Sequence, residues 1–208
     1  MIIRLLRKFL PPVNKRVMEP AAKRSKSPVE NKRFVWIDCE MTGLEPETQT
    51  LVEIATIVTD QELNIIAEGP DIVIHQPEDV LEKMSDWCKL TFSQNGLTEK
   101  IRNSQISLQE AENQTMTFLE KHTAKGKSPL AGNTVYMDRL FLRKYMPRLN
   151  EHLHYRIVDV SSVKELTRRW YPQEYRDAPE KKGTHRALDD IRESIEELKF
   201  YRSNVFKP

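Results

Sequence analysis

Apolar positions change their period several times along the chain, and each change marks an element. Phe34-Val35-Trp36-Ile37 is an unbroken run of aromatic and β-branched residues, which predicts a buried strand. Thr42-Gly43 is a turn signal at its end, with apolar Leu44 just past it. Thr50 to Asp60 is apolar on both faces, which predicts a central strand. Its exception is Glu53, a buried acid in need of a partner. Leu63 to Ile74 reads as a third strand, interrupted by Gly69-Pro70. The short links between these three predict an antiparallel meander. Pro77 to Leu97 reads as short helices that include Trp87. Leu108, Ala111, Thr115, Phe118 and Leu119 keep helical spacing, so Ser107 to His122 is an amphipathic helix.

The second half alternates. Pro129 to Gly132 is a short apolar strand that runs into Asn133-Thr134, a pair suited to cap a helix. That helix carries Asp138 near its start, places Leu140, Phe141 and Tyr145 toward the core, and ends by Pro147. Tyr155 to Val160 is another strand. Ser162-Val163-Lys164-Glu165 is a capping box for a helix ending near Trp170. Tyr171 to Lys182 is Pro-bearing and charged, and reads as a mobile loop. The last helix starts about Thr184, with Leu188, Ile191, Ile195 and Leu198 as its buried stripe. This order predicts an α/β fold with a mixed five-stranded sheet flanked by helices.

Residues 1 to 30 differ from the rest. Arg4, Arg7, Lys8, Lys15 and Arg16 interleave with apolar residues, and no acid precedes Glu19. Such a start reads as a mitochondrial targeting segment, with a disordered basic tail as the alternative. A second cluster, Lys23-Arg24-Ser25-Lys26, also suits nuclear import, and cytoplasmic residence is the remaining address. Residues 31 to 208 then form one domain. No apolar run spans a bilayer, so no membrane partner is expected. Net charge is +2, which confines any nucleic-acid contact to a short, local one. The two cysteines, Cys39 and Cys88, have neither zinc spacing nor a disulfide pattern. Cys39 lies on the strand face opposite its neighbours and packs as a small hydrophobe.

Those neighbours carry the first chemistry. Asp38 and Glu40 stand two apart on a strand, hence on one face. Two carboxylates at a buried strand end repel each other and resist desolvation unless a cation sits between them. Alone, the pair fits an ordinary strand end with solvated acids as well as a site for Mg²⁺ or Mn²⁺. Near the other end stands Gly183-Thr184-His185-Arg186-Ala187-Leu188-Asp189-Asp190, with the histidine at a helix start and Asp190 five residues on.

The D-x-E pair, the mid-chain acid after Gly-Asn and the final H-x-x-x-x-D together resemble the DEDDh 3′-to-5′ exonucleases. More narrowly, W-I-D-C-E-M-T-G-L, A-G-N-T-V-Y-M-D, H-Y-R-I-V-D-V-S-S and G-T-H-R-A-L-D-D-I-R-E-S are similar to the oligoribonuclease family from Lys32 to the C-terminus. The resemblance implies a ribonuclease-H-like fold. It implies Asp38, Glu40, Asp138 and Asp190 as ligands of two divalent cations, Mg²⁺ or Mn²⁺, and His185 as general base. The chemistry is coherent: two ions about 3.5–4 Å apart clamp the attacking and leaving oxygens, and an imidazole takes a proton near neutral pH. Asp189 is the neighbour easily confused with Asp190 and fits a helix-orienting role, and Asp159 fits a structural one.

The family's substrate is very short single-stranded RNA, down to dinucleotides. Leu44 and Trp87 would then wedge against and stack on bases, or else belong to the core. Thr134, Arg156, Ser161 and Lys164 would hold the terminal 5′ phosphate, helped by backbone N–H groups at Ser161-Ser162. Arg156 has the alternative of pairing with a surface acid. Tyr155 would act across a homodimer or pack on the sheet. Trp170, Tyr171 and Tyr175 would supply an apolar dimer surface or pack on their own domain. The implied activity is 3′-to-5′ exoribonuclease, with a proofreading-type DNA exonuclease and a catalytically silent nucleotide-binding module as rivals.

Overall fold

The computed structural model describes residues 32–207 except 182 and 184, so the basic N-terminal segment and Thr184 lie outside the described residues. Three strands come first, β1 (Phe34–Met41), β2 (Leu51–Thr59) and β3 (Ile65–Val73). Helices α1 (Glu78–Leu81), α2 (Asp86–Gln94), α3 (Leu97–Asn103) and α4 (Leu108–His122) follow. Then come β4 (Pro129–Gly132), α5 (Tyr136–Tyr145), α6 (Pro147–His152) and β5 (His154–Asp159). The chain closes with α7 (Val160–Trp170), α8 (Pro172–Asp177) and α9 (Ala187–Asn204). The strands form one five-stranded mixed sheet in the order β3-β2-β1-β4-β5. The meander β1–β2–β3 is antiparallel, while β4 and β5 add in parallel on the other side of β1.

Both faces of β1 are covered, which is why its apolar run is unbroken. Val35, Ile37 and Cys39 face a core with Leu119 of α4, Phe141 of α5 and Leu149 of α6. Trp36 faces the opposite layer, where Ile191, Ile195 and Tyr201 of α9 pack with Ala55 and Ile57 of β2. Each fully buried aliphatic side chain of this kind contributes about 1.5–3 kcal/mol. Cys39 is the small core hydrophobe expected, and both cysteines are free.

The structure corrects several expectations, each for a tertiary reason. β3 continues through Gly69-Pro70, which oppose Thr56 alone where the pairing shifts between Ala55 and Ile57. A Cβ on Gly69 would lie 2.7 Å from the Phe118 ring, so the glycine makes room for α4. Proline is tolerated there because β3 is an edge strand. Asn133-Thr134 do not cap α5, whose flanking residue Val135 lends no side chain. The cap of α7 is Asp159, which accepts from Ser161 N, so the helix starts ahead of the expected capping box. Leu140 is exposed, while Phe141 takes the core position. The stretch expected as a mobile loop contains α8. Among the described residues no helix is long and apolar enough to cross a membrane.

Candidate active site

Asp38 and Glu40 project from the α9-facing side of β1, one on each side of buried Cys39. Glu40 pairs across the ladder with Glu53 of β2, so a second buried acid lies beside it. Asp138 enters from the first turn of α5 and is buried. Its Oδ1 accepts the Cys39 N–H at 2.9 Å, which hooks α5 onto β1 between the two strand acids. Asp190 sits in the first turn of α9, half-buried. His185 precedes that helix with a left-handed φ of 50°, costly for a residue with a Cβ. Asn95 Nδ2 donates to its carbonyl at 2.9 Å. The Trp87 ring meets the imidazole edge-on, 5.0 Å between centroids.

Donor atoms of Glu40, His185 and Asp190 lie within 4.8 Å of one another. Asp38 and Asp138 join them electrostatically. Burial, then the charges of Asp138, Glu40 and Asp190, push the Asp38 carboxyl far above the ordinary range. Burial, then Glu53, Asp190 and Asp138, raise Glu40 to about 9, against a smaller opposing pull from Arg186. Burial raises Asp138 to about 7 despite the Cys39 N–H, and burial raises Asp190 as well. Four crowded carboxyls that resist ionising are a poor apo arrangement and a good one for hard divalent cations, which restore the charged form. The donor set therefore fits such ions.

A groove of about 590 Å³ adjoins the acids, lined by Cys39, Glu40, Leu44, Gln49, Trp87 and Cys88. Leu44 and Trp87 are 66% and 55% exposed, so neither belongs to the core. Gly43 sets up Leu44, because a Cβ there would meet the Gln49 carboxamide at 2.0 Å.

Past the acids, Thr134, Ser161 and Lys164 gather in a polar network. Thr134 N donates to Asp159 Oδ1 at 3.0 Å and to Ser161 Oγ at 2.8 Å. The Ser161 N–H also donates to Asp159 Oδ1, at 2.9 Å, so it is not the free group expected, and Asp159 has the structural role expected. Ser161 Oγ donates to Asn133 Oδ1 at 3.0 Å, and Asn133 Nδ2 donates to Glu197 at 3.1 Å. Glu197 is buried in α9, where Lys164 at 2.9 Å and Lys181 at 3.2 Å flank its two oxygens. Burial alone would raise this carboxyl, but the two lysines hold it below the ordinary range. Tyr155, 74% exposed, and Arg156 pair with each other instead, the guanidinium 5.4 Å from the ring centroid. Trp170 and Tyr171 are exposed beside Leu166 and Phe206 along an apolar cleft, while Tyr175 is half-buried.

Arg186, Asn95, Lys181 and Glu197 have places around the site that the sequence pattern does not display, and Asn133 has one other than the helix cap expected. Only Arg186 had a signal, the buried Glu53 that lacked a partner.

A family model described as Exonuclease (RNase_T) matches residues 35–198. Fold and acid cluster thus define a nuclease, a phosphodiester hydrolase. Among relatives, the chain is 55% identical over 176 residues to the mitochondrial oligoribonuclease of Homo sapiens, covering 85% of this chain and 74% of that one. It is 59% identical to the probable oligoribonuclease of Caenorhabditis elegans, covering 84% and 90%. It is 58% identical to the oligoribonuclease of Vibrio parahaemolyticus, covering 85% and 97%. The chain belongs to the oligoribonuclease family. A zinc-bound crystal structure of E. coli ExoI with ssDNA superposes with a TM-score of 0.66 at 18% identity, covering 84% of this chain and 41% of that one. Exonuclease I from Methylocaldum szegediense gives 0.62 at 20%, covering 84% and 41%. That likeness is one of fold, and this chain spans about two fifths of those longer chains.

Proposed function

We propose that this protein is a 3′-to-5′ exoribonuclease that hydrolyses very short RNA, dinucleotides above all, to nucleoside 5′-monophosphates. The supporting observation is the convergence of Glu40, His185 and Asp190 beside the half-buried Asp38 and the buried Asp138, in a chain whose relatives are named oligoribonucleases.

Asp38, Glu40, Asp138 and Asp190 would hold two divalent cations, Mg²⁺ or Mn²⁺. Those ions supply Lewis-acid stabilisation of an in-line phosphoryl displacement. His185 takes the proton of the attacking water as general base. Leu44 wedges against one base and Trp87 stacks on the other. Thr134, Ser161 and Lys164 receive the terminal 5′ phosphate, which disfavours longer strands; Arg156, held against Tyr155, would have to turn away from that ring to join them. Tyr155, exposed on β5, completes the site of a second copy in a homodimer. The apolar cleft at Trp170 and Tyr171 supports such a contact, with Tyr175 alongside. Relatives named mitochondrial support a mitochondrial address.

The test is turnover of 5′-phosphorylated RNA of two, three, five and seven nucleotides, with Mg²⁺, with Mn²⁺ and with chelator. Preference for the dinucleotide, lost with chelator, is the expected result. Equal or faster cleavage of the longest strand, or of DNA, would put a general or proofreading-type exonuclease in its place. No turnover under any condition would leave a silent binding module.

A further inference from the structure

Glu53 is fully buried in the central strand β2, and the chemistry above does not use it. Its partner lies 133 residues away. Arg186 donates from Nη2 at 2.7 Å and from Nε at 3.1 Å to Glu53 Oε1. The same guanidinium reaches Asp71 of β3 at 3.7 Å. A planar fork held this way fixes direction as well as distance, which a single ammonium does not.

What Arg186 carries is the other half of the observation. It directly follows His185, whose backbone is left-handed. Its own carbonyl accepts the N–H groups of Asp189 and Asp190, each at 3.0 Å, and so starts α9. Glu53, for its part, stands opposite Glu40 in the β1–β2 ladder. One ion pair therefore joins the segment bearing His185 and Asp190 to β2, the strand paired with β1, which bears Asp38 and Glu40. Along the segment before α9, Asn95 adds a hydrogen bond to the His185 carbonyl. An extended Arg186 between a left-handed residue and a helix has no regular structure to hold it, so the side-chain anchor sets where the imidazole points.

We propose that the Arg186–Glu53 pair is a positioning device for the nuclease reaction, holding His185 and the start of α9 in register with the acids of β1. This rests on the function proposed above. Neither residue need touch substrate. Losing the pair should leave substrate binding at the groove largely intact and misplace the base.

The test uses full-length protein with Mg²⁺ and a dinucleotide substrate. Arg186→Lys keeps the charge and loses the fork; Glu53→Gln with Arg186→Gln removes both charges together, so no buried ion is left alone. Expected for each is a fall in kcat of at least tenfold with KM within threefold. Glu53→Gln alone should cost as much as the double variant, the mark of residues that act as a unit. A second readout needs no turnover: the imidazole C–H signal of His185 in NMR, assigned with His185→Asn, carries the ring-current shift of Trp87 and should lose it in Arg186→Lys. Wild-type kcat and an unmoved His185 signal in the variants would overturn the proposal. So would kcat and KM changing together with a fall in melting temperature, which marks a purely structural pair. If the wild type does not turn over the dinucleotide, the functional reading fails, and the His185 signal still decides the positioning.

Discussion

Replacing Glu40 with Gln should make the metal-free protein more stable, increasingly so as pH rises. The reason is the sign of the proton linkage. Glu40 ionises at 4.5 in the ordinary case and at about 9 in the fold, with burial the first cause and Glu53 the second. Between those values the folded chain keeps a proton that the unfolded chain has lost, so stability falls as pH rises through this window. Each unit corresponds to about 1.36 kcal/mol, which gives about 4 kcal/mol at most between pH 5.5 and 8.5 for Glu40 alone. Asp138, raised to about 7, falls in the same direction over part of the range. Gln keeps the shape and cannot ionise. The assay is urea unfolding with chelator at both pH values, for wild type and Glu40→Gln. The two proteins should be close at pH 5.5 and separate by several kcal/mol at pH 8.5. Adding Mg²⁺ at pH 8.5 should stabilise the wild type and leave the variant nearly unmoved. Parallel pH dependences, or a variant that is the weaker at pH 8.5, would show that the acids do not burden the fold as argued.

Removing the base platform should act on binding. Trp87→Ala should raise KM for a dinucleotide by about five- to 150-fold, as expected from about 1–3 kcal/mol per stacked base, with kcat changed far less; an unchanged KM would remove Trp87 from the site. Trp170→Glu places a charge in the apolar cleft beside Leu166 and Phe206, and light scattering after size exclusion should then report a monomer with little turnover. A persisting dimer would move the contact elsewhere.

The pieces of the site legible in the sequence were those set by short-range geometry. Asp38 and Glu40 share a face because strand side chains alternate, and β1 keeps them there. The apolar stripe of α9 was legible for the same reason, and Ile191 and Ile195 are buried as its period requires. What failed depended on distant partners. Gly69 looked like a strand break because Phe118, the ring it admits, belongs to α4. Leu140 has an apolar side chain at a position that α5 turns to solvent. Asn133 looked like a helix cap, yet its carboxamide reaches across to Ser194 and Glu197 of α9. Glu53 announced a missing partner, but no local pattern could point to a residue at the far end of the chain.

Helix α9 carries Asp190 in its first turn and Glu197 seven residues on. At 1.5 Å per residue, the two stand about 10 Å apart along one rigid axis. Lys164, Lys181 and Asn133 all hang from the second of these. The helix is thus a ruler, with one graduation at the acids and the next at the network proposed to receive the terminal phosphate. A chain that held a short substrate between these two points would need no moving part to count nucleotides. Inserting a turn between Asp190 and Glu197 would be the way to reset the count.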